Sequence, residues 1–104
     1  MIKVSVLYLK EEGKTFDMSY YCETHIPMVQ KLLGSACTNV AVEQGLAAMA
    51  PGSLPTYVAM GHLYCNSLAD FQSSFGPNAE VILSDIPNYT DTTYIVQISE
   101  VKIG

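Results

Sequence analysis

The chain has 104 residues, a formal net charge of −5, 49% hydrophobic residues and only 14% charged ones. That length suits one domain with one core, spanning 1–104, and that composition excludes a disordered chain. All basic residues are lysines, so there is no clustered positive charge for nucleic acid and no guanidinium fork for a phosphate or carboxylate. A neutral or weakly polar ligand fits better.

Cys22, Cys37 and Cys65 are odd in number and widely spaced, without a CxxC or zinc pattern, and read as buried reduced thiols. The N-terminus MIKVSVLYLK lacks the apolar core and cleavage site of a signal peptide. No apolar run is long enough to span a bilayer, so the expected location is cytoplasmic, with no membrane partner. The apolar share is high for a small monomer, a first sign of a buried subunit interface.

In chain order, IKVSVLYL alternates as a strand, with Ile2, Val4, Val6 and Tyr8 on one face. KEEGKT is a turn, and Thr15 or Asp17 caps a helix that runs to about Leu33 and stops at Gly34. CTNVAVEQGL is a second strand with Val40, Val42 and Leu46 on one face, and AAMAPGSLPT is a loop. YVAMGHLYC is a third strand, apolar on both sides except at His62. Ser67 caps a second helix that Pro77 interrupts and restarts. NYTD turns the chain into a last strand, TYIVQISEVKI.

The order β-α-β-β-α-β predicts an α+β, ferredoxin-like fold: a four-stranded antiparallel sheet with two helices on one face. The second apolar face then needs a cover, and the same face of a twin subunit supplies one, giving a dimeric α/β barrel.

Three stretches, FDMSYYCETHIPMVQKLLG (16–34), VEQGL (42–46) and DIPNYTDTTYIVQISEV (85–101), resemble the EthD family, named for ethyl tert-butyl ether degradation. The resemblance covers nearly the whole chain and implies the same fold and a homodimer. It also implies association with a cytochrome P-450 type oxygenase system and its components. More distant relatives include muconolactone isomerases, polyketide cyclases, fungal dehydratases and cofactor-free monooxygenases, among which fold alone does not select.

The first helix carries the candidate catalyst. At 3.6 residues per turn, Met18, Cys22, His25, Val29 and Leu32 share an inward stripe, with Tyr21 at its edge. Pro27 removes the partner of the Glu23 carbonyl, which predicts a kink or break beside His25 and room for a pocket. A buried imidazole there favours its neutral form and can take or give a proton. The alternative is a structural histidine bonded to a backbone carbonyl.

Tyr21, His62, Tyr64 and Tyr89 are the candidate ligand contacts. His62 shares a strand face with Val58, Met60 and Tyr64; it joins the cleft if that face meets the helices, and an interface if it meets a twin. Tyr89 either orients a ligand oxygen or closes the rim of the loop. Asp85 is read as a solvated carboxylate at a helix end, able to orient a histidine. No metal-ligand spacing, GxGxxG or GxxxxGK occurs, and no residue stands out as a haem ligand, so no cofactor is expected. Two functions fit: a cofactor-free acid–base enzyme of cyclase, dehydratase or isomerase type acting on an apolar or aromatic molecule, or a non-catalytic carrier or accessory to an oxygenase.

Overall fold

A computed structural model describes the whole chain, Met1 to Gly104. Four strands, β1 (Ile2–Leu9), β2 (Cys37–Gln44), β3 (Tyr57–Cys65) and β4 (Tyr94–Glu100), form one sheet in the order β2-β3-β1-β4. All neighbouring pairs are antiparallel. The alternation of β1 works as its sequence dictates: Val4 and Tyr8 are buried toward the helices, and Lys3, Ser5 and Leu7 face the other way. The same rule sets Ala59, Gly61, Leu63 and Cys65 of β3 inward. This is the expected ferredoxin-like α+β plan.

The first helical layer comprises α1 (Met18–Tyr20), a π turn (Tyr21–His25) and α2 (Ile26–Leu33). Asp17 caps it, its carboxylate accepting from the Tyr20 N–H. Gly34 ends it at φ 59°, a left-handed conformation that glycine adopts without steric cost. The second layer comprises α3 (Leu68–Phe75), capped by Ser67, and α4 (Ala79–Ser84), with Pro77 in the 3₁₀ turn between them.

The expected disturbance around Pro27 takes the form of the π turn, in which the Ile26 N–H reaches back to the Tyr21 carbonyl. The extra residue in that turn shifts the helix face. Tyr21, His25, Ile26, Val29 and Leu33 are buried, while Cys22 is exposed and Leu32 half-buried. The inward stripe extrapolated at 3.6 residues per turn is therefore corrected at Cys22, while Leu32 keeps to it, packed against the core, and Tyr21 moves from its edge to its centre. Leu46 is a further correction: β2 ends at Gln44, and Leu46 is 89% exposed.

Two clusters make the core. One gathers Val4, Val29, Leu33, Leu63, Cys65, Phe71 and Ile82; the other gathers Tyr8, Tyr21, Ile26, Ala59 and Tyr89. Gly61 lets the second form, because a Cβ there would collide with the Tyr21 hydroxyl. Gly61→Ala should push Tyr21 off the sheet and cost about 1–3 kcal/mol, as overpacking of a filled core does. Urea unfolding measures this, and an unchanged midpoint would show that the tyrosine is not seated on Gly61.

Candidate functional site

Two distant loops are clamped together beside the π turn. Phe16 and Thr90 form an isolated bridge, the Asp17 N–H donates to the Tyr89 carbonyl at 2.8 Å, and the Thr90 hydroxyl donates to the Thr15 carbonyl at 2.8 Å. The clamp brings the end of α4 against His25. The His25 Nδ1–H donates to Asp85 Oδ2 at 2.8 Å. A carboxylate only accepts, so Nδ1 carries a proton, and in the neutral ring Nε2 keeps its lone pair. No protein group binds Nε2, and no buried side-chain nitrogen or oxygen lacks a partner, so Nε2 retains contact with solvent space.

Asp85 is itself held. The Tyr20 hydroxyl donates to Oδ1 at 2.7 Å and the Asn88 amide donates to the same oxygen at 2.9 Å. Partial burial works against the charge, but the hydrogen bonds from Tyr20, Asn88 and His25 outweigh it and hold the carboxyl below its ordinary range. A hollow of about 300 Å³ on the far side of Asp85 leaves that carboxylate 16% exposed.

The His25 ring stacks on Tyr21, with centroids 5.6 Å apart at 13°, and lies 4.7 Å from the Tyr89 ring. The Tyr8 and Tyr89 hydroxyls are hydrogen-bonded at 2.7 Å. Burial, ahead of their mutual contacts, pushes Tyr8, Tyr21 and Tyr89 far above the usual phenol range. They remain neutral hydroxyls near neutral pH.

His25 also lines a cavity of about 380 Å³ that opens where the two core clusters part. Val4, Val6, Tyr94, Val96 and Ile98 form its sheet wall; Phe71, Phe75, Ile82 and Ile86 lie on the helix side. Of twelve lining residues His25 is the one that is not hydrophobic, so it is the main source of polarity in the wall. The helix-facing side chains of β4 are poorly covered, with Tyr94, Val96 and Ile98 at 38%, 51% and 43% exposure, and they mark the open side. No Lys reaches the cavity, and no group of three or more His, Cys, Asp or Glu converges as a metal site.

The structure joins His25 with Tyr21 and Tyr89, but both tyrosines are 1–2% exposed and stand behind the imidazole without lining the cavity. His62 and Tyr64 do not join them. Strand alternation sends both to the sheet face away from the helices. There the Ser5 hydroxyl donates to His62 Nδ1 at 2.8 Å, and His62 Nε2–H donates to Glu43 Oε1 at 3.1 Å. Three residues were not singled out from sequence: Tyr8, which lines the cavity, and Tyr20 and Asn88, which secure Asp85. For Tyr8 the signal was present, a bulky phenol at the inward end of an alternating strand.

Fold and site together define a ferredoxin-like α+β protein with a histidine–carboxylate pair at the wall of an apolar cavity. The chain belongs to the EthD family: the EthD domain model matches residues 11–93. It is similar to an EthD-like protein of Ralstonia eutropha JMP134 at 47% identity, covering 98% of this chain and 92% of that one, with a TM-score of 0.94. An ethyl tert-butyl ether degradation (EthD) family protein of Bacillus halodurans C-125 shares the fold at 18% identity, with coverage of 97% and 98% and a TM-score of 0.73. A dimeric ferredoxin-like protein of unknown function from Thermobifida fusca YX shares it at 14% identity, with coverage of 96% and 90% and a TM-score of 0.58. No curated protein matches the chain significantly. No helix is long and apolar enough to cross a membrane.

The lowered pKa of Asp85 sets a pH dependence. A carboxyl depressed in the folded state contributes stability fully above its unfolded value, about 4, and loses it as pH falls through the folded value. Asp85→Asn should therefore be less stable than the parent at neutral pH, with the gap closing on acidification below about pH 4. Denaturation midpoints across pH measure this, and a gap that is constant with pH would contradict it.

Proposed function

We propose that this protein is a cytoplasmic homodimer whose cavity takes an uncharged, largely hydrocarbon or aromatic molecule bearing one weakly acidic hydroxyl or C–H. His25 moves a proton on that ligand without a cofactor, as a cyclase, dehydratase or isomerase requires. One observation carries this reading: the imidazole whose Nδ1 is engaged by Asp85 has its ring in the wall of an otherwise hydrophobic cavity. The carboxylate fixes the ring and stabilises the imidazolium formed when Nε2 accepts a proton. Tyr21 and Tyr89 hold the ring from behind, and the Tyr8 ring lines the cavity while its hydroxyl bonds Tyr89. An apolar cavity of about 150 Å³ binds benzene, so about 380 Å³ suits a two-ring molecule. The absence of a cation from the lining disfavours carboxylate and phosphate ligands.

A second reading, a carrier or an accessory to an oxygenase component, is favoured by the same apolar wall, which offers His25 no second titratable partner other than phenols. Affinity separates the two. In the catalytic reading, 2-naphthol binds better than naphthalene, His25→Ala erases that preference, and turnover of an identified substrate falls about 10²–10⁴-fold. In the carrier reading, the two ligands bind alike in both proteins and the variant loses only stability.

The dimer is supported by the outer sheet face, where Leu7, Met60, Tyr64 and a 47% exposed Ile95 surround the Ser5–His62–Glu43 chain. The Thermobifida fusca protein of the same fold is described as dimeric. Sedimentation should return twice the 11.3 kDa chain mass, and Ile95→Lys should shift it toward the monomer. A parent protein that sediments as a monomer would contradict this part.

A further inference from the structure

Cys37 opens β2 and Cys65 closes β3, and the antiparallel register sets them directly opposite each other. Opposed residues in such a ladder have Cα atoms about 4.5 or 5.5 Å apart. Both values fall in the range of about 4.4–6.8 Å that a disulfide spans. Both side chains turn to the same side of the sheet, for Cys65 belongs to the first core cluster and Cys37 packs against it. All three cysteines are free thiols, and the Cys37 S–H points to the Asn39 carbonyl at 3.5 Å. The pairing register slips between Cys37 and Asn39, so Cys37 sits at the irregular start of its strand.

We propose that Cys37 and Cys65 are a reversible redox pair, closed by exchange with a small-molecule disulfide such as oxidised glutathione. Unequal burial orders the steps. Cys65 has no exposed surface, whereas Cys37 is half-buried. The Cys37 thiolate attacks one sulfur of the small-molecule disulfide, breaks its S–S bond and expels one thiolate, leaving a mixed disulfide on Cys37. Cys65 loses its proton, attacks the Cys37 sulfur and expels the second thiolate. The protein gives up two protons and two electrons, and the oxidant leaves as two thiols.

Burial raises both thiols above their ordinary range, Cys65 to about 11. Exchange is therefore slow at neutral pH and accelerates as pH rises. Cys22 lies on the exposed surface of the π turn, outside this pair.

The test treats the native protein with oxidised glutathione at several pH values, then counts thiols after denaturation and maps the peptides by mass. The expected result is loss of the Cys37 and Cys65 thiols, one thiol remaining if Cys22 stays free and none if mapping finds glutathione on it. A peptide joining Cys37 to Cys65, two hydrogens lighter, should appear, form faster at higher pH and reopen with dithiothreitol. In Cys37→Ser, Cys65 should stay unreacted in the folded protein. Glutathione that remains on Cys37 without closure, a link to Cys22, or no change at Cys37 and Cys65 would overturn the proposal.

Discussion

The hydrogen bond from His25 to Asp85 is the contact on which the rest of the site depends. It spans 60 residues of sequence and ties the π turn of the first helical layer to the end of the second. Without it a histidine at 4% exposure would hold a buried polar nitrogen with no partner, at a cost of about 1–3 kcal/mol. With it, one nitrogen is satisfied and the other has no protein partner. The bond is in turn set by the Phe16–Thr90 bridge and by Tyr20 and Asn88 on the other carboxylate oxygen. The imidazole is therefore oriented by layers of fixed groups, as a site must be if its geometry is to be ready before a ligand arrives.

The cavity follows from the way helices cover the sheet. The helical layers pack over β1 and β3, where Val4, Ala59, Leu63 and Cys65 are buried. They leave the helix-facing side of β4 only partly shielded. Gly61 lets Tyr21 sit down on the sheet, and the Tyr8–Tyr21–Tyr89 group fills one end. Phe71, Phe75 and Ile82 wall the other, and His25 stands between. The family assignment agrees with this architecture, while the proton-transfer reading rests on the side chains alone.

Much of the fold was legible because it obeys local rules. Period-two alternation assigned the faces of β1, Ser67 and Gly34 marked helix boundaries, and Pro77 marked the break between α3 and α4. The site was legible only at His25 and its tyrosines. Helical spacing misplaced Cys22 because a π turn inserts one residue per turn, and nothing in the spacing announces it beyond Pro27. Asp85 reads in sequence as a solvated helix-end carboxylate; its role is created by a long-range clamp that no local pattern encodes. His62 could be given a face by alternation, but which side the helices cover was settled only by the packed structure.

The central claim is that Asp85 pins the proton of His25 to Nδ1 and leaves Nε2 bare toward the cavity. Long-range proton–nitrogen NMR on labelled protein, taken well above the ordinary imidazole value of about 6.5, reads that tautomer directly. The account predicts a protonated Nδ1 and an unprotonated Nε2 whose resonance moves when an aromatic alcohol is added. A ring protonated at Nε2, or an Nε2 signal indifferent to that ligand, would contradict it.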